Sequence, residues 1–164
     1  KLRGMSRAFI GLGSNLGDRA SHFRWALDAW DFHPGVQVLR ASRFRETPPE
    51  GDGFRGFFLN AVAEVETCLP PRALLASLLD METRRGRTRP PVDSVGPSAP
   101  LDRPLDLDLL LYGRAVLDGP DLVLPHPRME SRRFVMEPLA EIAPFLPLPG
   151  GRTPSSCLQK LPRG

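Results

Sequence analysis

Apolar and polar positions recur along this chain with two different periods, and the places where one period gives way to the other divide it into elements. Residues 7–12 read as a first strand, and Phe23, Ala26, Leu27 and Trp30 then fall on one helical face that closes near Pro34-Gly35. The glycine-rich run Gly11-Leu12-Gly13-Ser14-Asn15-Leu16-Gly17-Asp18 between them reads as turn chemistry ending in a helix N-cap at Asp18. Residues 36–45 predict a second strand and residues 57–66 a third, separated by the loop Thr47-Pro48-Pro49-Glu50-Gly51-Asp52-Gly53. Pro70-Pro71 opens a second helix that turns Leu74, Leu75, Leu78 and Leu79 inward and carries Glu82, Arg84 and Arg85 in its last turns. A strand at 105–112, a weak hairpin at 115–123 and a short helix holding Phe134, Leu139 and Ile142 follow, and the Pro/Gly-rich tail from Pro144 is expected to be irregular.

The order strand, helix, strand, strand, helix, strand predicts an α/β (α+β) fold: a ferredoxin-like sandwich whose mostly antiparallel sheet carries helices on one face and leaves the other open. Residues 85–103 contain four prolines and no periodicity, a long connection for a compact domain. With Arg87 and Arg89 at its start and Arg103 at its end, it reads either as a long mobile catalytic loop that orders over an anion or as a solvated linker.

Arg103-Pro104-Leu105-Asp106-Leu107-Asp108-Leu109-Leu110-Leu111-Tyr112 is where the alternation carries chemistry. Residues two apart on a strand share a face, so Asp106 and Asp108 point one way and Leu105, Leu107 and Leu109 the other. Two charges about 7 Å apart repel by roughly 2 kcal/mol at an effective dielectric near 20, and a divalent cation relieves that repulsion. Mg²⁺ favours one or two carboxylates plus substrate phosphates, which makes the pair a candidate metal–phosphate site. The bland alternative is a half-exposed edge strand with solvated acids.

Composition narrows the field. The chain's 164 residues suit a single domain over 5–164, and residues 1–4, ahead of Met5, are expected to be a cloning remnant without a role. Cys68 and Cys157 belong to no metal-ligand spacing and to no disulfide framework, so they read as reduced thiols. No window has the length of a membrane span, and the expected location is cytoplasmic. The net charge of +3 is carried almost wholly by arginine, which suits bidentate phosphate contacts in a small molecule as well as in nucleic acid.

Other motifs are weaker. Leu16 stands where a dinucleotide-binding G-x-G-x-x-G needs its third glycine, and no Lys-Ser or Lys-Thr follows to make a phosphate loop. Arg55-Gly56-Phe57-Phe58-Leu59 imitates the aromatic strand of an RNA-recognition module, but Phe58 falls where that motif needs Gly or Ala. Such a module would also leave Asp106 and Asp108 facing a phosphate backbone; an Asp-x-Asp glycosyltransferase would need a larger nucleotide-binding domain. Asn60 shares a face with Phe58 and Val62, offering a donor and an acceptor beside an aromatic wall for a planar heterocycle, or else an amide satisfied by a nearby loop. His126 is held between Pro125 and Pro127. Arg132 and Arg133 stand at a helix start, where a cation opposes the helix dipole unless an anion joins it.

Gly13-Ser14-Asn15-Leu16-Gly17-Asp18, Thr47-Pro48-Pro49, Phe58-Leu59-Asn60, Arg103-x-x-Asp106-x-Asp108, Pro125-His126-Pro127 and Arg132-x-Phe134, in that order, resemble the 6-hydroxymethyl-7,8-dihydropterin pyrophosphokinase family of folate biosynthesis. The likeness spans residues 6–149. It implies a ferredoxin-like fold and transfer of a pyrophosphoryl group from ATP to the pterin hydroxymethyl oxygen, with release of AMP. It implies that Asp106 and Asp108 hold two Mg²⁺ ions, that Arg87, Arg89 and Arg103 act with them in catalysis, and that Glu82, Leu109, His126 and Arg132 bind ATP. Thr47, Pro48, Pro49, Phe58, Asn60 and Phe134 match the pterin pocket. The partners implied are these two small molecules, with no nucleic acid and no membrane, and a monomer is expected. The chain departs from the family pattern in Pro100-Leu101-Asp102, where an aromatic-Gly-Pro is common, and at Phe58, Asp121 and Pro127.

Overall fold

A computed structural model describes residues 4–51, 56–86 and 102–163. Strand β1 (Ser6–Ser14) leads into helix α1 (Arg19–Phe32), then strands β2 (Val36–Ala41), β3 (Arg45–Thr47) and β4 (Phe58–Thr67), and helix α2 (Pro71–Arg84). Strand β5 (Asp106–Tyr112), the short hairpin strands β6 (Leu117–Asp118) and β7 (Val123–Leu124), and helices α3 (Arg133–Ile142) and α4 (Pro154–Lys160) complete it. The five-stranded sheet runs β2-β4-β1-β5, with β3 also pairing β4, and every pairing is antiparallel. This is the ferredoxin-like order expected from the sequence, with β5 at an edge.

The helices form where the periodicity places them. Asp18 caps α1 by accepting a hydrogen bond from the Ser21 N–H at 3.1 Å, and Phe23, Ala26 and Trp30 are its buried stripe. Pro71 opens α2, and Leu74 and Leu78 are fully buried against the sheet, each contributing about 1.5–3 kcal/mol. Leu75 and Leu79, expected inward, are only half-buried; Met81 and Glu82 are buried instead, so the stripe turns toward β5.

Four expectations are corrected. The second strand is two, because the Ser42 main chain and hydroxyl both bond to Val62 and the chain steps between β2 and β3. Gly11 and Gly13 belong to β1, which runs on to Ser14, and not to the turn. The face opposite α1 and α2 is only partly open: Phe9, Val62, Leu110 and Leu111 on the sheet pack with Val135, Met136 and Leu139 of α3 in a second core. The tail is not wholly irregular, since Thr153 and Ser156 form a reciprocal capping box that starts α4, whose Cys157 joins that second core. The connection that includes Arg87 and Arg89, expected to be a catalytic loop, lies mostly outside the described residues.

Candidate active site

Register explains why a cavity exists beside α3. Across the sheet, Arg45 pairs with Asn60, Asn60 with Gly13, and Gly13 with Asp106. Two residues along, Val62 pairs with Gly11 and Gly11 with Asp108. The central strand thus contributes no side chain between an amide on one neighbour and two carboxylates on the other. Glycine in a strand interior weakens it and marks close approach of another group. Here it leaves a trough. The resulting cavity, of about 750 Å³, has the size of an ordinary small-molecule site. It continues past the β5 edge to Leu75, Leu79 and Glu82 of α2 and to the turn of the β6–β7 hairpin.

One end of the trough suits a flat polar ring. The Asn60 Nδ2 donates to Thr47 Oγ1, which fixes the amide, and the Asn60 Oδ1 lies 3.6 Å from where a Cβ on Gly13 would stand. Phe58, Pro48 and Phe134 wall this end with apolar surface. The Arg132 guanidinium stands 5.4 Å over the Phe134 ring and 3.5 Å from Glu50, and its buried Nε makes no hydrogen bond. That N–H faces the Glu50 carboxylate at 3.5 Å in an ion pair without a hydrogen bond, so an anionic ligand would compete with Glu50 for it.

The other end is acidic and arginine-lined. Arg103 Nη1 lies 3.3 Å from Asp106 Oδ2. The Asp108 carboxyl is pushed up to about 7, first by burial and then by the charges of Asp106 and Glu82, while Arg132 and Arg103 pull the other way. A carboxylate that resists ionising for want of positive charge is what a cation would relieve. Among the described residues no three His, Cys, Asp or Glu side chains gather into a cage. Two carboxylates with room for phosphate fit Mg²⁺, which binds through one or two acids and substrate oxygens.

Glu82 is only 2% exposed and its Oε2 accepts the Leu107 N–H at 2.8 Å, so α2 braces the edge strand between the two aspartates. The His126 imidazole is held below its ordinary pKa, first by burial and then by Arg132 and Arg128, and its Nδ1 accepts the Arg128 N–H at 3.3 Å. The neutral ring therefore carries its proton on Nε2, as a donor.

A model of one family, described as 7,8-dihydro-6-hydroxymethylpterin-pyrophosphokinase, matches residues 9–144. The chain belongs to that family. It is 41% identical to a 2-amino-4-hydroxy-6-hydroxymethyldihydropteridine pyrophosphokinase of Methylorubrum extorquens over 96% of this chain and 94% of that one. Proteins of the same name from Pseudomonas aeruginosa (39% identity, 90% and 87% coverage) and Bacillus subtilis (42%, 82% and 77%) are also similar.

Of the pyrophosphokinase site residues expected from the sequence, Thr47, Pro48, Phe58, Asn60, Glu82, Arg103, Asp106, Asp108, Leu109, His126, Arg132 and Phe134 line the one cavity. Pro49 is not on its wall, and Arg87 and Arg89 lie outside the described residues. Sequence reasoning missed Gly11, Gly13, Glu50 and Arg128. The two glycines had a usable signal, since the alternation Ala8, Ile10, Leu12 runs past them and puts both on the opposite face with Phe9.

Proposed function

We propose that this cavity transfers the pyrophosphoryl group of ATP to the hydroxymethyl oxygen of 6-hydroxymethyl-7,8-dihydropterin, the reaction of the family in folate biosynthesis. The observation that supports the reading is the row Asn60–Gly13–Asp106, in which an amide suited to a heterocycle and a carboxylate suited to metal and phosphate stand on either side of a glycine. Asn60, Thr47, Phe58 and Phe134 hold the pterin so that its hydroxymethyl group faces the aspartates. Arg103, Arg132 and the His126 Nε2–H hold the phosphate chain, and Arg87 and Arg89 join them by family resemblance. Mg²⁺ at Asp106 and Asp108, two ions by the same resemblance, supplies neutralisation of the phosphate charge when bound.

The hydroxymethyl oxygen forms a bond to the β-phosphorus, the bond from that phosphorus to the α–β bridging oxygen breaks, AMP leaves, and the hydroxyl proton passes to solvent. Phosphoryl transfer depends on positioning and charge stabilisation more than on covalent help, and the chain supplies both. Protein incubated with MgATP and the pterin should give AMP and pterin diphosphate in equal amounts by phosphorus NMR. Pterin-dependent ADP, or no pterin-dependent loss of ATP, overturns the reading.

A further inference from the structure

The turn between β1 and α1 contributes nothing to the reaction as described, yet one of its residues grips the far side of the site. Asn15 donates its backbone N–H to the Arg103 carbonyl at 3.2 Å, and its Oδ1 accepts the Arg103 backbone N–H at 2.8 Å. Its Nδ2 donates to Asp102 Oδ1 at 2.6 Å. The main chain of Arg103 is thereby bonded on both its N–H and its carbonyl to a single residue, and the preceding side chain is bonded to the same amide.

We propose that Asn15 is a positioning residue for the reaction: it fixes the backbone at Arg103 so that the guanidinium stands beside Asp106 at the phosphate end of the cavity. This rests on the reading above, in which Arg103 holds a phosphate. An arginine side chain swings on several rotatable bonds from its Cα, so orienting that Cα and its two peptide planes decides which part of the cavity the guanidinium reaches. The residue type follows from the partners. One side chain must accept from an N–H and donate to a carboxylate at once, which an amide does from two separate atoms and an ionised aspartate or an alanine does not. A residue that merely closed its own turn would bond within it; these side-chain bonds span separations of 87 and 88 residues.

The test is a double-mutant cycle on the full chain with MgATP and the pterin, at a temperature where circular dichroism shows each variant folded. Asn15→Ala should lower kcat/KM for ATP by about 10- to 100-fold, the scale of a misplaced catalytic contact. Its affinity for pterin without nucleotide should stay within about twofold, a split that general loosening of the fold would not give. Arg103→Ala should lose at least as much, and Asn15→Ala added to it should cost nothing further. Losses that multiply overturn the proposal, as does an Asn15→Ala enzyme with wild-type kinetics beside an impaired Arg103→Ala. If Arg103→Ala itself keeps wild-type kinetics, the role assigned to Arg103 fails and the proposal with it, a separate outcome. The reciprocal exchange serves even if Asn15→Ala does not fold. Asn15→Asp sets two carboxylates against each other and should be impaired, and Asn15→Asp with Asp102→Asn restores one donor and one acceptor and should recover most of the loss. No recovery overturns it.

Discussion

A methyl group added at Gly13 would stand between the Asn60 amide and Asp106, in the floor of the trough. Its Cβ would lie 3.6 Å from Asn60 Oδ1, 3.7 Å from Asp106 Cβ and 3.9 Å from Phe58 Cδ1, all ordinary van der Waals separations. Gly13 does not have a positive φ, so alanine adopts the same backbone without strain. The fold therefore loses nothing and gains the unfolded-state entropy that glycine forfeits in a strand, about 0.5–1 kcal/mol. Function moves the other way. The floor rises by one carbon–carbon bond where a ring must lie flat against it, and a displacement of about 1 Å at a reacting centre costs on the order of 100-fold in rate. Gly13→Ala should thus raise the urea midpoint slightly while weakening pterin binding and cutting kcat/KM for the pterin by about two orders of magnitude. Titration calorimetry with the pterin and a urea melt on the same preparation read both. A Gly13→Ala protein that binds the pterin as wild type does would show that the ring does not lie over this strand, and one destabilised by more than about 1 kcal/mol would show that the contacts are not ordinary.

Asp106→Asn and Asp108→Asn should each stay folded and lose pyrophosphoryl transfer by orders of magnitude, because the phosphate charge loses its metal support; near-native turnover in either variant would remove the assignment. Glu82→Ala strands the buried Leu107 N–H and should cost about 1.5–3 kcal/mol, whereas Glu82→Gln keeps an acceptor there and should cost clearly less; equal urea midpoints for the two would discount the bond. His22 and His126 are held below the ordinary imidazole pKa, first by burial and then by arginines, so the native protein gives up protons that the unfolded chain keeps, and their contribution to stability falls as pH drops through about 6.5. Asp108 acts in the opposite sense, so the quantity to read is the difference between wild type and His22→Gln/His126→Gln in urea melts across that window; a difference that does not change with pH refutes the sign.

What the sequence made legible depended on how local the cause was. Asp106 and Asp108 could be placed on one face because strand alternation is a property of adjacent residues, and the N-cap at Asp18 because its partner is three residues away. The row that joins Asn60 to Asp106 through Gly13 was not legible, because it requires the register of two long-range pairings. Without that register, three glycines close together look like a turn. The second face was misjudged for a related reason: the apolar stripe of α3 shows that it covers something, but Met136 and Leu139 do not say which face of the sheet they cover. Asn15 is the extreme case, an ordinary turn residue in the sequence whose side-chain partners are far along the chain.

The same alternation that builds the second core also builds the site. On β1, Phe9 enters the core beneath α3, and Gly11 and Gly13 follow it on the same face. On β4 the sequence of that face is Glu64, Val62, Asn60 and Phe58, and on β5 it is Leu110, Asp108 and Asp106. β1 and β5 pass from Phe9 and Leu110 under α3 to glycine and carboxylate beyond it, and β4 passes from Val62 to Asn60, with the buried Glu64 behind Val62 paired to Arg40 and Arg7. Where α3 covers the sheet, a polar group needs a partner of its own, as Glu64 has in Arg40; where it does not, bulky side chains would fill the space a substrate needs. The boundary falls at Arg132 and Phe134, at the start of α3, which is why one helix end can supply both an apolar wall and a cation to the cavity. A cation at a helix N-terminus opposes the helix dipole, a cost that an anionic ligand offsets. In the empty fold Glu50, 3.5 Å away, and the Phe134 ring offset part of that cost, and a phosphate at the same helix end would add to them, the direction expected of a residue placed for phosphate.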